Sequence, residues 1–429
     1  MKKQFIAWIR IDKLKPSCFS TLAFFLVCLP APSLASDLYR GMLANMLDRH
    51  PAVIAAGQQR LAASQEVEGA RWQFFPTPSI GVESGNQTSQ FADSKIRFAR
   101  LQQPLWTGGR LTAQTDRAKA QQELADAAWR EQRHNLAIRW LELWAESSAA
   151  RSRVEAYAES EELHQRYVRR VQARAQEGQI ARSETQLSFS RLSSVQAELE
   201  LARAQQQQAM NKLLQMWGRT WSTTDIPRLP DLRGSEVDSM HTHVGAVAQN
   251  HPVLQKSRAQ VLLAQAEVDF ARARLSPEVY ARAEVSHGNI SGDVRKAFIG
   301  FSTSFGGGLS NLSAVGSAQS RVEAQRQELE VRSRELSDLL TTDQINHLSQ
   351  SQRAQQFLLS LEAAQAYLLS SETQFDNGRR SWQELMNSAR EKAQIRVQLT
   401  DASAQAWLAA QRLRLNTQGL EDFLARPAR

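Results

Sequence analysis

Two histidines one residue apart, His241 and His243, carry imidazoles of the kind that bind zinc or copper. A protein metal site needs further donors, and no Cys or third His stands beside this pair, so a solvated polar loop accounts for them. The run Gly306–Gly308 invites a phosphate-binding reading, but it lacks the Gly-Lys-Ser/Thr ending through which a phosphate loop holds nucleotide. A tight turn between elements explains it. Trp129, Trp140 and Trp144 fall at helical spacing and read as packing anchors rather than a platform for stacking bases. No G-x-S-x-G, no H-E-x-x-H and no catalytic paired-carboxylate arrangement on a plausible shared face is present. The expectation is therefore a protein that is not an enzyme, with no cofactor and no metal.

What these residues leave unexplained is the frame around them. The chain has 429 residues, 52 Lys and Arg against 44 Asp and Glu, and only 20 Gly and 12 Pro, which excludes a collagen-like or loop-rich protein. Residues 1–35 read as a signal peptide. Lys2, Lys3, Arg10, Lys13 and Lys15 precede the apolar run Cys18–Leu29, and Ser33-Leu34-Ala35 supplies the small residues that predict cleavage before Ser36. That segment carries five basic residues and Asp12, so its removal lowers the formal charge from +8 to +4 and weakens any case for nucleic acid as partner. Both cysteines leave with it, which excludes disulfide scaffolds and thiol chemistry. No later stretch reaches the roughly 18 apolar residues of a spanning helix.

An internal duplication organises the rest. His50-Pro51 corresponds to His251-Pro252, Glu66-Val67 to Glu267-Val268, Ala70-Arg71 to Ala271-Arg272, Pro76 to Pro277, Glu83 to Glu284, Gly178 to Gly378 and Glu184 to Glu384. The first repeat spans 36–218, a linker 219–239, and the second repeat 240–429. Each repeat predicts a helix (38–73, 240–274) that stops before a proline, then two strands (about 77–86 and 95–103; about 278–287 and 295–305). A tract of 111–176 or 317–376, free of Gly and Pro, follows; as one helix it would span roughly 90–100 Å. A lone glycine then reverses the chain into a returning helix (181–216, 381–418). Leu192, Val195, Leu199, Ala202, Ala209, Leu213 and Met216 form that helix's apolar seam.

The strands alternate as a wall between lipid and water would. The expected lipid face is Ile80, Val82, Ile96, Phe98, Val279, Ala281, Val285, Ile299 and Phe301. Glu83, Arg97, Arg282 and Glu284 are expected to face water. Four strands cannot close a barrel, and an open edge in hydrocarbon costs several kcal/mol per unsatisfied group. Such strands demand oligomerisation, and three copies supply 12.

The duplicated plan of helix, two strands, long helix, glycine turn and returning helix resembles the TolC family of outer-membrane channels over nearly the whole mature chain. The residues that carry it best are the two tips, Glu177-Gly178-Gln179-Ile180-Ala181-Arg182-Ser183-Glu184 and Asp376-Asn377-Gly378-Arg379-Arg380-Ser381-Trp382-Gln383-Glu384-Leu385. The resemblance implies a mainly α fold with a small membrane β part: a trimeric 12-stranded β-barrel in the outer membrane, continued by a long α-helical barrel in the periplasm. It implies a homotrimer that meets a periplasmic adaptor and an inner-membrane transporter, and exports either small-molecule drugs or a type I secreted protein. It maps a periplasmic gate onto Glu184, Phe375, Arg380 and Glu384, and adaptor docking onto Gly178, Gln179, Gly378 and Arg379. An Arg and a Glu from adjacent hairpins would pair to hold it closed. Asn387 stands where the family pattern has a second acid. A periplasmic coiled-coil scaffold without a pore explains the helices but not four symmetrically placed alternating segments.

Overall fold

The computed structural model describes residues 34–84, 95–218, 250–303 and 310–425. The expected linker, His241, His243, Gly306–Gly308 and all but the last two residues of the expected signal peptide lie outside them. In chain order the elements are α1 (Leu34–Arg49), α2 (Pro51–Trp72), β1 (Thr77–Ser84), β2 (Lys95–Trp106), α3 (Arg110–Gln176), α4 (Arg182–Trp217), α5 (Pro252–Ala273), β3 (Glu278–Gly288), β4 (Gly292–Ser302), α6 (Ser310–Asp376), α7 (Trp382–Gln418) and α8 (Leu420–Ala425). The halves are built alike: α2 and α5 have 22 residues each, and α3 and α6 have 67 each.

The expected single helix over 38–73 is two helices. Pro51 occupies the first helical turn of α2, and His50 before it is extended (φ −67°, ψ 128°), with Nδ1 accepting from the Ala52 N–H at 3.2 Å. His251 repeats the arrangement ahead of Pro252, where α5 starts; the expected helix over 240–249 lies outside the described residues. The repeated His-Pro pair is thus a helix start. β2 runs to Trp106, three residues beyond expectation, and β4 runs from Gly292 to Ser302, three residues earlier at each end.

Each long helix ends in a paired reversal. Gly178 (φ 75°) and Gly378 (φ 70°) adopt the left-handed conformation. The N–H groups of Gln179 and Arg379 then bond the carbonyls of Arg174 and Gln374, both at 2.9 Å. Ala181 and Ser381 cap the returning helices, and the Ser381 Oγ accepts from Glu384 N–H.

Packing forms a layer of four lanes. α2 covers one end of α3 and α4 the other; α5 and α7 do the same for α6, and α3 lies against both α5 and α7. The lane order is α2/α4, α3, α5/α7, α6. A collar core at mid-length gathers Tyr39, Leu43, Leu47, Trp140, Trp144, Leu213, Trp407 and Phe423 from α1, α3, α4, α7 and α8. Trp140 and Trp144 are packing anchors there, and the seam of α4 is buried from Val195 to Met216. Ion pairs and hydrogen bonds cross from α3 to the second repeat along its length, among them Lys256–Glu131 (2.7 Å), Arg153–Asp401 (2.6 Å) and Lys392–Glu159 (2.7 Å). The four strands form one antiparallel sheet in the order β1-β2-β3-β4.

Candidate channel wall and periplasmic tip

The sheet has two chemically different faces, fixed by register. Residues opposite one another in an antiparallel pair point the same way. Ile80 lies opposite Ala99, which lies opposite Val285; Pro78, Leu101, Ala283 and Ala297 form the next row, and Ala281 and Ile299 continue it. This face is apolar and exposed, with Ile80 at 87%, Ile299 at 73% and Phe301 at 67%.

The other face is polar and internally bonded. Arg100 pairs with Glu284 at 2.7 Å, and the Arg282 guanidinium donates to Gln102 Oε1 at 2.8 Å. Arg100 also stacks on Phe98, and Arg282 on Tyr280 and Phe298. Two glycines make room for these rings: a Cβ on Gly81 would come within 2.6 Å of the Phe98 ring, and one on Gly300 within 2.4 Å of Tyr280.

The register corrects the expected faces of β2. Ile96 and Phe98 lie with Glu83, Arg282 and Glu284 on the polar face, while Arg97, opposite Val82, lies on the apolar one. The aromatic ring misled the alternation argument, because Phe98 earns its place by covering Gly81 and carrying Arg100. The other expected lipid-facing residues share one face.

At the opposite end of the molecule the two hairpin tips lie side by side. Glu184 and Glu384 each occupy the third position of a returning helix, where a carboxylate answers the helix dipole. The expected pairing of Arg380 with Glu184 is not formed. Arg380, in the turn before α7, binds Glu384 in the first turn of that helix at 3.0 Å, donates to Ser371 Oγ on α6 and lies over the Tyr367 ring. Glu184 instead accepts from the Trp382 indole N–H at 2.9 Å. Phe375, expected at an aperture, is buried in a cluster with Tyr167, Val171, Trp382 and Leu385, and Arg174 covers its ring. Its size and apolarity suit a core better than a wet mouth.

The hairpins are joined by further bonds. Tyr167 donates to Glu372 at 2.5 Å, Arg170 pairs with Asp376 at 3.1 Å, and Arg174 donates to the Phe375 carbonyl at 2.8 Å. Burial and the Glu372 carboxylate hold the Tyr167 phenol protonated. Trp382, Tyr167 and Arg174 were not singled out as site residues; the large aromatic between the cap Ser381 and Glu384 was the available signal. Gly178, Gln179, Gly378 and Arg379 form the exposed ends, Gln179 bonding Glu177. Among the described residues no group of three or more metal-ligating side chains converges. No helix among them is long and apolar enough to cross a membrane.

Residues 42–219 match the family model described as outer membrane efflux protein. That match covers less than half of the chain. Solved structures similar to it include the outer membrane protein VceC of Vibrio cholerae, with 14% identity, a TM-score of 0.75, and 89% of this chain and 96% of that one covered. The CmeC outer membrane channel of Campylobacter jejuni has 11% identity and a TM-score of 0.77, covering 89% and 85%. The MtrE channel of Neisseria gonorrhoeae, described in its open state, has 17% identity and a TM-score of 0.64, covering 86% and 88%. The fold of the chain is that of these channel-tunnels, a β-barrel part continued by an α-barrel part.

Proposed function

We propose that this chain is an outer-membrane efflux channel, three copies of which close a 12-stranded barrel through the outer membrane and a helical tube below it. The sheet carries the reading: one face is continuous apolar surface, the other a charged and hydrogen-bonded lining, and both outer strands, β1 and β4, lack a partner among the described residues. The layer of helices ends in the same way. α6 at one side exposes Ile345, Leu348 and Leu359, and α2/α4 at the other expose Ile54, Leu61 and Leu201. Edge strand to edge strand and lane to lane, a closed ring satisfies both sets of groups at once. The helical tube would stand in the periplasm.

The tips, at the far end of the tube, would form its periplasmic mouth. The α6/α7 hairpin is held to the α3/α4 hairpin by Trp382–Glu184, Arg170–Asp376 and Arg174 on the Phe375 carbonyl, and these ties would bias the mouth closed. Glu384, set at the tip and 59% exposed in its side chain, would contribute one carboxylate of a three-fold ring. The exposed turn residues Gly178, Gln179, Gly378 and Arg379 would meet a periplasmic adaptor, which links the channel to an inner-membrane pump, ATP-driven or proton-driven. The cargo would be a small molecule or an exported polypeptide passing through a lining that makes no covalent chemistry. Native mass spectrometry of protein extracted from outer-membrane fractions tests the assembly. A three-chain species is expected, and a monomer in the inner-membrane or soluble fraction would contradict the reading.

A further inference from the structure

The apolar face of the sheet does not stay apolar to its loop end. Continuing the rows upward, Val285 lies opposite Arg295, Val82 opposite Arg97, and Ser84 opposite Lys95. All three cations therefore stand on the face that carries Ile80, Leu101 and Ile299, and all three are exposed. Among the described residues the nearest acid on this face, Asp293, is engaged by His287 Nδ1 at 2.7 Å. Among the described residues, Lys95, Arg97 and Arg295 make no ion pair. On the opposite face Arg100 does, with Glu284. At the other end of the same face stand aromatic residues, Trp106 and Phe301, with Trp72 and Phe75 just below the strands.

Distance fits this vertical order to a membrane. From Trp106 to Arg97 a strand rises about 30 Å, and a tilt of roughly 40° reduces that to about 23 Å, close to the apolar band of roughly 25 Å of membrane barrels. An Arg or Lys facing hydrocarbon costs about 2–4 kcal/mol at the midplane and about 0–1 at the interface, so these three belong at headgroup level. Unpaired cations at that level have one abundant partner of opposite sign.

We propose that Lys95, Arg97 and Arg295 form a binding site for the phosphate groups of anionic lipid headgroups in the outer leaflet, repeated on each copy to give a cationic belt around the barrel. Arginine forks and the lysine ammonium match phosphate oxygens, and a glycolipid bearing two phosphates spans more than one of them. This site rests on the reading of the sheet as a barrel wall with its apolar face toward lipid.

The test uses the full-length oligomer in neutral detergent, with lipid A, its dephosphorylated form and inorganic phosphate as probes, followed by native mass spectrometry and thermal unfolding. Wild type is expected to retain lipid A and to unfold at higher temperature with it, and to show neither effect with the dephosphorylated form. The triple variant K95Q/R97Q/R295Q is expected to lose at least tenfold in lipid A affinity, while K296Q, on the polar face, keeps it. Undiminished retention by the triple variant, or complete competition by millimolar inorganic phosphate, would overturn the proposal. A nitroxide label at Ile299 in liposomes separates this outcome from failure of the barrel reading. Relaxation by lipid-soluble oxygen means the face meets lipid whatever the cations do, whereas relaxation by a water-soluble nickel chelate would remove the wall itself.

Discussion

His134 and His251 meet edge to face, with ring centroids 4.6 Å apart, and the Nε2 of each lies within hydrogen-bonding reach of Asn416 Oδ1, at 2.9 and 3.3 Å. Burial first, and the neighbouring imidazole second, bring the His134 pKa down to about 4; burial also lowers that of His251 against the opposing pull of Asn416 and Glu131. Glu131 is itself held by Lys256. The folded protein therefore keeps these rings neutral, while the unfolded chain takes up protons near pH 6.5. The sign follows: their contribution is fully present above about pH 6.5 and is lost as pH falls toward 4, at a cost of roughly 3 kcal/mol for His134 alone. Unfolding followed by tryptophan fluorescence in detergent should show this loss, and His134→Leu should flatten it. At the tip, Trp382→Phe removes a donor to the Glu184 carboxylate while keeping most of the ring in its pocket. A charge-assisted bond of this kind is worth about 1.5–3 kcal/mol when buried, less at this half-exposed site. Hydrogen exchange should quicken at the amides around Gly178 and Gly378 and leave the collar around Trp140 unchanged.

The strands and hairpins show why some elements could be read in the sequence and others could not. The long helices were legible because nothing in 111–176 interrupts them and a left-handed glycine ends them. The faces of β3 were legible because Val279, Ala281, Ala283 and Val285 alternate without a break. β2 was not, since its polar face carries Phe98, whose placement depends on Gly81 across the strand and on Arg100 two residues along. The break at Pro51 was missed, although the rule that ended the helix before Pro76 applies to it equally. The tip acids at 184 and 384 were found by their spacing from glycine, but their partners were not, because Trp382 and Ser371 come into reach only through packing between hairpins. The corrected faces make a prediction. Ile299→Arg should lower the amount of assembled protein in the outer membrane, at roughly 2–4 kcal/mol, whereas Ser286→Arg, on the polar face opposite Phe98, should assemble. Gly300→Ala should also fail or weaken assembly, since its methyl group would overlap the Tyr280 ring. Immunoblots of unheated outer-membrane samples measure all three.

As a whole the molecule is a wall with two raw edges, long in one direction because α3 and α6 each run 67 residues, about 100 Å. Among the described residues of a single copy nothing covers the strand edges or the apolar stripes of α6 and α4, and nothing encloses a lumen. The ties between hairpins matter only if the tips of three copies converge, since individual exposed ion pairs contribute about 0–1 kcal/mol and symmetry repeats each of them three times. Single-channel recording of the purified protein in planar lipid bilayers tests this account most directly. Wild type should insert and carry a steady, small cation-selective current, and the combined variant Trp382→Phe, Arg170→Ser should carry a several-fold larger one at the same voltage. Protein that inserts in neither form, or a current that the variant leaves unchanged, would contradict a trimeric conduit closed at its periplasmic end.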